Sequence, residues 1–521
     1  MLKNIFRPKR RNICGLEISD WVFVAVGLII FAVISLWTIT KSSFWFDEAF
    51  GVYLIHFNFI DIARYTATDV HPPLFYWLLK LWAMLFGDTE LGLRSMSVFF
   101  GGVAILFGYM LTNKLFNRLA ARISLVFMVL SPMLIRYSQE ARMYTLVTAI
   151  ALVATYVLVY AMDSKKKFPW VIYGLLVGMG MWVHYYAAIV WIAHWVWRAD
   201  IIRRTAKKGE YLRKFFTKEW ILSFCIAIAV FIPWLPFFIG QSLIVQIAGF
   251  WIPPVSLGTP LNFLTNTVYY KDLGEATGWL AFCLLVASVF LGVLAYKVNK
   301  SLNKADRQSY RLIITLAFVP VIILFLVSVP IRSTFIDRYL ITSTLGITMF
   351  IGVTLALGYK FLRIRWRYLS TVFIAALMIM GIANVYYLGN YNKNTHDSNQ
   401  TRQIIEAANA KAKNGQPVIA ATPWLFYEAV FYATDNHPVY FLHVTDYKFG
   451  SLDMLKYSDN HKIKDISAFA KKNPIIWYVG WIGNGDIKTP YSNWKKIQEF
   501  TINDPISDKP EYKAIQYNIA N

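Results

Sequence analysis

The chain has 521 residues, of which 57% are hydrophobic, 17% aromatic and only 16% charged; a soluble globular chain carries about 25% charged residues. That balance excludes a single soluble domain and leaves a membrane protein. Cys14, Cys225 and Cys283 are too few and too scattered to build a disulfide framework or a metal site. The net charge of +22 would suggest nucleic acid if it lay on one soluble surface, so its placement along the chain decides its meaning.

The first apolar run, 21–40, follows Lys3, Arg7, Lys9, Arg10 and Arg11. It has the length that a bilayer crossing requires and no small-residue cleavage site, so it reads as a retained signal anchor. Runs of spanning length recur at 94–113, 119–136, 143–162, 169–183, 185–197, 220–240, 275–296, 312–330, 339–358 and 368–388. The stretch 169–197 is too long for one helix and is split at His184-Tyr185-Tyr186. Segment 71–87 is apolar as well, but it is short and carries Lys80. It is expected to be an interfacial helix on the outer surface, with Pro72 and Pro73 at its first turn.

Alternating about eleven spans from a cytoplasmic N-terminus places 28 of the 52 basic residues inside, with seven acids. The inner segments hold Lys114, Arg118 and Arg122; Lys165 to Lys167; the run from Arg198 to Lys218; Lys297 to Arg311; and Lys360 to Arg367. The outer loops and the tail are close to neutral. This is the positive-inside pattern: the basic excess reports orientation in a membrane, and no nucleic-acid partner is expected.

Beyond residue 390 the pattern changes. A helix at 401–413, strands at 417–421 and 438–442, a helix at 424–433, another near 465–472, and strands at 475–479 and 512–517 alternate as in a small α/β domain. The expected architecture is therefore mostly α. A polytopic bundle occupies 1–390, and a soluble extracytoplasmic α/β domain occupies 391–521.

The spans are nearly free of acids, unlike those of transporters and pumps. Polar candidates gather instead at expected outer helix ends: Phe44-Trp45-Phe46-Asp47-Glu48, Asp69-Val70-His71-Pro72-Pro73, Tyr137-Ser138-Gln139-Glu140-Ala141-Arg142-Met143-Tyr144, His184-Tyr185-Tyr186 and Asp337-Arg338-Tyr339. Each has a bland reading. On it Asp47-Glu48 is a solvated acidic pair, although its aromatic flanks hold it near the membrane surface and argue against that; Glu140 and Arg142 are a structural ion pair, His184 is a packing histidine, and Arg338 is a headgroup anchor. Their common side of the membrane favours one cavity. Carboxylates there can take a proton from a hydroxyl, cations can hold a phosphate, and aromatic walls suit a sugar or lipid chain. In the tail, Asp435, His437 and His443 lie close together without a metal-site spacing.

The order Asp47-Glu48, then His71-Pro72-Pro73-Leu74, then Ser131-Pro132 with Tyr137-Ser138-Gln139-Glu140-Ala141-Arg142-Met143-Tyr144, and later Arg338-Tyr339-Leu340, resembles the GT-C membrane glycosyltransferases. The nearest branch is the protein O-mannosyltransferase and lipopolysaccharide-core group, glycosyltransferase families 39 and 83. The likeness covers roughly residues 20–390. It implies an inverting hexosyltransferase that moves a sugar from a polyprenyl-phosphate donor to a cell-envelope glycan, lipid or protein acceptor.

The resemblance implies Asp47 as general base, with Glu48 beside it, and Glu140 as an acid that orients the acceptor or supports a metal. His71 stands where a relative carries a phosphate-contacting lysine, and imidazole is mostly neutral near pH 7. Arg142 and Arg338 are then the stronger phosphate ligands. His184, Tyr185, Tyr144 and Tyr339 are assigned to the substrate cavity. No metal ligand is assigned and no cofactor is required, although some GT-C enzymes use a divalent metal. Two other classes stay open: a transporter or flippase of a polyprenyl-linked glycan, and an assembly protein whose outer acids are incidental.

Overall fold

Among the described residues eight helices are long and apolar enough to cross a membrane: Ile18–Leu36, Glu90–Leu115, Tyr144–Asp163, Lys218–Val245, Gly278–Ser301, Lys304–Ser328, Asp337–Phe361 and Ile364–Tyr387. Arg118–Val129 and Pro132–Ser138, bent by 55° at their junction, make a ninth if counted as one span. These are seen in a computed structural model that describes residues 17–248, 252–275, 278–330, 333–388, 400–442, 450–483, 486–504 and 508–520. The basic residues from Lys3 to Arg11, Cys14 and His443 lie outside that set.

Nine of the eleven expected spans are thus accounted for. The other two are helices in the expected places, Phe168–Val183 and Ala187–Thr205. The first has only 16 residues, about 24 Å at 1.5 Å per residue, less than the roughly 30 Å hydrocarbon core. The second ends in Arg198, Asp200, Arg203 and Arg204. His184, extended between them, makes the break.

Internal packing divides the chain into two compact units. The first comprises Met1–Trp37, Arg94–Phe237 and Phe250–Asn390; the second comprises Thr38–Leu93, Phe238–Gly249 and Tyr391–Asn521. The α/β segment after 390 is therefore grouped with the 38–93 segment.

In the first unit, Asp337–Phe361 is the central helix, 89% buried over its apolar window, against 22% for Ile18–Leu36. Small residues explain the difference. A Cβ on Gly352 would meet Ser124 Cα at 2.5 Å, and one on Gly346 would meet Ala317 Cα at 2.8 Å, so backbones touch across this helix. Its short hydroxyls find partners: Thr342 bonds Thr148 at 3.2 Å and Thr354 bonds Tyr310 at 2.7 Å. The outlying helix instead exposes Trp21, Val22, Val26, Ile29, Ile30, Val33 and Leu36, a lipid-facing stripe.

Ion pairs join helix ends that the alternating topology puts on one side. Asp20 takes Arg118 and Arg122 at 2.9 Å each, Asp163 takes Lys114 at 3.1 Å, and Asp200 takes Arg204 and Arg311 at 2.8 Å each.

In the second unit the apolar segment 71–87 forms a helix at Leu74–Phe86, with Pro73 at its N-cap and Gly87 ending it at φ 81°. Thirteen residues reach about 20 Å. Leu81, Met84, Leu85 and Phe86 are exposed, an apolar face that a helix lying in a headgroup layer would bury. The α/β segment builds one six-stranded sheet. Its strands are β1 (Val418–Ala420), β2 (Val439–Leu442), β3 (Lys462–Ile463), β4 (Ile475–Trp481), β5 (Lys495–Asn503) and β6 (Pro510–Asn518).

The strand order is β3-β2-β1-β4-β6-β5. The first three pairings are parallel and the last two antiparallel. Ile419, Ile476, Tyr478, Ile515 and Tyr517 form its core. The sequence reading missed β3 and β5. The former has two residues, and the latter, KKIQEFTIN, is a mostly exposed edge in which only Phe500 and Ile502 are half-buried.

Candidate functional site

The first unit builds its polar cluster on a broken helix. Pro132 cannot continue the hydrogen-bond ladder of Arg118–Val129, and Ser131 Oγ caps the new turn through Leu134 N at 3.4 Å. After Ser138 the chain runs irregularly to Tyr144 while staying buried: Gln139, Glu140, Ala141, Arg142 and Met143 are at most 3% exposed. Buried loops are rare, because every backbone polar group needs a partner. Here Arg142 N donates to Glu140 O at 2.8 Å, and Ser97 Oγ to Arg142 O at 3.2 Å.

Glu140 Oε1 accepts from Arg136 Nη1 at 2.5 Å. The structural ion pair considered for Glu140 and Arg142 is therefore made by Arg136, one helical turn earlier. Glu140 Oε2 is also buried, with no hydrogen bond among the described residues.

Arg142 and Arg338 meet at one ring. Their guanidinium carbons lie 6.0 and 5.8 Å from the centroid of Tyr144, and Arg338 also lies 5.9 Å from Tyr339. His184 packs 5.0 Å from Tyr339 and 6.2 Å from Tyr144. Tyr186, absent from the assigned cavity residues, stacks on Tyr339 at 4.4 Å. Tyr185 turns elsewhere, and its hydroxyl accepts from Trp234 Nε1 at 2.7 Å. Arg142, Tyr144, His184, Arg338 and Tyr339 thus come together, and the Tyr185 hydroxyl is engaged by Trp234.

Beside them Asn266 Nδ2 donates to Asp272 at 3.0 Å and to Asp337 at 2.9 Å. Among the described residues no group of three or more His, Cys, Asp or Glu side chains could hold a metal ion, so no step is derived through one. His437 Nδ1 sits 3.0 Å from Gln416 O.

In the second unit Asp47 and Glu48 occupy the first turn of helix Phe46–Leu54, where the helix dipole favours negative charge. Glu48 is 1% exposed and Asp47 half-buried. Their aromatic flanks pack on other rings of the same unit. Phe46 packs on Trp424 at 4.6 Å, Phe50 on Tyr427 at 5.6 Å and Phe44 on Phe431 at 4.8 Å. Helix Pro423–Tyr432 of the α/β segment thus clamps the acidic helix through edge-on ring contacts.

Glu90 secures the same contact, accepting from Arg402 at 2.7 Å and from the Tyr432 hydroxyl. His71 Nδ1 lies 3.1 Å from Asp69 Oδ2; a carboxylate there orients the imidazole and selects its tautomer. Lys80 is turned away from that pair and donates to Ile55 O at 2.6 Å.

Arg136, Tyr186 and Asn266 were the residues missed. Arg136 was legible as the i−4 neighbour of Glu140, whereas Asn266 carried no local signal.

Comparison with known proteins agrees with this architecture. Residues 70–237 match the profile of the dolichyl-phosphate-mannose-protein mannosyltransferase family. Over 172 residues the chain is 29% identical to an undecaprenyl phosphate-alpha-4-amino-4-deoxy-L-arabinose arabinosyl transferase of Pseudomonas savastanoi pv. phaseolicola. That alignment covers 31% of this chain and 30% of the relative.

Among solved structures, ArnT from Cupriavidus metallidurans in the apo state superposes with a TM-score of 0.61 at 12% identity, over 96% of this chain and 99% of that one. The same protein bound to undecaprenyl phosphate gives 0.59 at 12% identity, over 97% and 100%. The Archaeoglobus fulgidus oligosaccharyltransferase AglB, with an inhibitory peptide and a dolichol-phosphate, gives 0.51 at 12% identity, over 89% and 70%. The chain thus shares the fold of ArnT and of AglB. In sequence the likeness to the mannosyltransferase family and to the arabinosyl transferase is confined to part of the chain.

Proposed function

We propose that the protein is an inverting glycosyltransferase that moves a sugar from a polyprenyl-phosphate donor to an extracytoplasmic acceptor. The observation that carries this reading is the meeting of Arg142 and Arg338 at the Tyr144 ring, with His184 and Tyr339 packed alongside. Two guanidiniums on one aromatic wall concentrate positive charge where a lipid phosphate would be drawn, and planar guanidinium forks match phosphate oxygens.

In the reaction the acceptor oxygen attacks the anomeric carbon while the bond from that carbon to the phosphate oxygen breaks. The acceptor proton passes to the Asp47 carboxylate, and the departing polyprenyl phosphate keeps the bonding electron pair. Arg142 and Arg338 stabilise that charge, so no acid is needed on the leaving group. Glu140, tied to Arg136, holds the loop that presents Arg142. His71, oriented by Asp69, adds a polar contact to the donor.

The profile match names a mannosyl donor and the curated relative an aminoarabinose donor, so both hexose and pentose donors belong in the test. The acceptor is a lipid, glycan or protein; the α/β segment, packed on the Asp47 helix, is assigned to its side. The N-terminus is assigned to the cytoplasm and the α/β segment to the outer face, from the placement of basic residues.

The test is protein-dependent release of lipid phosphate in nanodiscs from a panel of radiolabelled undecaprenyl-phosphate hexoses and pentoses, with a crude envelope extract as acceptor. Release by the wild type and not by Asp47→Asn supports the reading. Equal release by both removes Asp47 as base, and no release from any donor by folded protein favours a transporter or assembly role.

A further inference from the structure

The second unit contains a cavity of about 350 Å³ lined by Val52, Tyr53, His56, Asp88, Thr89, Tyr427, Val430 and Phe431. It lies between the end of helix Phe46–Leu54, the turn before Glu90, and helix Pro423–Tyr432. We infer that it is a subsite for a sugar ring of the acceptor, remote from the reacting hydroxyl.

Three features define the ligand. Tyr53, Tyr427 and Phe431 supply apolar faces of the kind that pack against the C–H face of a pyranose. Asp88, His56 and Thr89 are exposed polar side chains at the rim, and no ion pair ties Asp88 among the described residues. A carboxylate can accept from two neighbouring hydroxyls at once. The volume sits at the small end of the roughly 300–1,000 Å³ range of ligand sites, room for about one or two sugar rings.

Charge excludes the donor: Asp88 would repel a lipid phosphate, whereas the arginines of the first unit attract one. The Tyr53 phenol is held in place by Ser458 at 3.2 Å, and burial pushes its acidity down by raising its pKa, so it stays a neutral wall.

Position sets the role. Val52 and Tyr53 lie on the same helix as Asp47, about 8 Å further along and turned to other faces. A ring seated here would anchor the acceptor without presenting the attacked oxygen. The subsite therefore rests on the transferase reading for its role, but not for its binding of sugar.

The experiment uses the full chain in nanodiscs and saturation-transfer NMR with lactose, maltose and chitobiose as probes. At least one disaccharide should show transfer to wild type and to Asp47→Asn alike. Asp88→Asn with His56→Ala, both at exposed positions, should weaken that binding about tenfold or more, the loss expected for a hydrogen bond to a charged group. In turnover the same double variant should raise KM for extended acceptors and leave kcat and the donor KM unchanged.

No signal from any disaccharide with folded wild-type protein overturns the subsite, as does unchanged binding by the double variant. Sugar binding that depends on Asp88, without lipid-phosphate release from any donor, would overturn the transferase reading and leave the glycan site standing.

Discussion

The loop around Glu140 and the helix around Asp47 use the same residue types under different physics. In the first, charge is buried in irregular backbone, so Glu140 requires Arg136 at 2.5 Å, and Arg142 and Arg338 share an aromatic wall. In the second, half-buried Asp47 stands in the first turn of a regular helix, where exposed peptide N–H groups stabilise a carboxylate. The lesson is that position in the fold sets how separable chemistry and stability are. A buried paired charge ties the two together, whereas an acid at a helix start leaves them independent.

The largest expected effect separates the two regions most sharply. Asp47→Asn should lower transfer by about 10²- to 10⁴-fold, the usual contribution of a general base, with an unchanged thermal midpoint; a large fall in the midpoint would erase the contrast. Glu140→Ala should lower stability by about 3–5 kcal/mol by removing the carboxylate that Arg136 pairs with. Replacing both residues with leucine or methionine should recover most of it in detergent unfolding curves. Full stability with lost transfer would instead place Glu140 in the chemistry.

Arg338→Ala should raise KM for the lipid donor by about ten- to a hundredfold, the worth of a charge-assisted hydrogen bond, and leave the acceptor KM in place. The reverse pattern would move Arg338 to the acceptor side. The smallest effect lies in the α/β segment, far from either cluster in sequence. Burial, with a lesser push from Asp504, raises the Glu511 carboxyl to about 7. The folded form thus favours the protonated acid. Stability from this group is fully present below about pH 4.5, falls as the pH rises towards 7, and is level above that. Glu511→Gln should flatten that slope in pH-dependent unfolding of the full chain, and an unchanged slope would place its origin elsewhere.

Much of the first unit was legible because a bilayer imposes its own pattern. The eleven apolar runs are helical, one of them broken at Pro132, and Lys114, Arg118, Arg204 and Arg311 are paired with acids at helix ends. The short length of Phe168–Val183 and the charged end of Ala187–Thr205 were visible too, though the alternation of charge argued for counting them as spans. The edge strand β5 was not legible, since its first five residues are all exposed and only Phe500 and Ile502 alternate inward, too short a pattern to read.

By itself the sequence determined the class: a polytopic helical chain with a mixed C-terminal segment, and a short ordered set of polar motifs outside the spans. Hydropathy and charge asymmetry are local quantities, and a window of residues carries them in full. Only the tertiary structure decided that Arg136 rather than Arg142 neutralises Glu140, that Tyr186 rather than Tyr185 stacks on Tyr339, and that Phe44, Phe46 and Phe50 pack on helix Pro423–Tyr432. It also separated the buried helix Asp337–Phe361 from the lipid-facing Ile18–Leu36, two spans of similar hydropathy. Such choices depend on which distant segments meet, and on whether a glycine lets their backbones touch, and no local window of sequence contains that information.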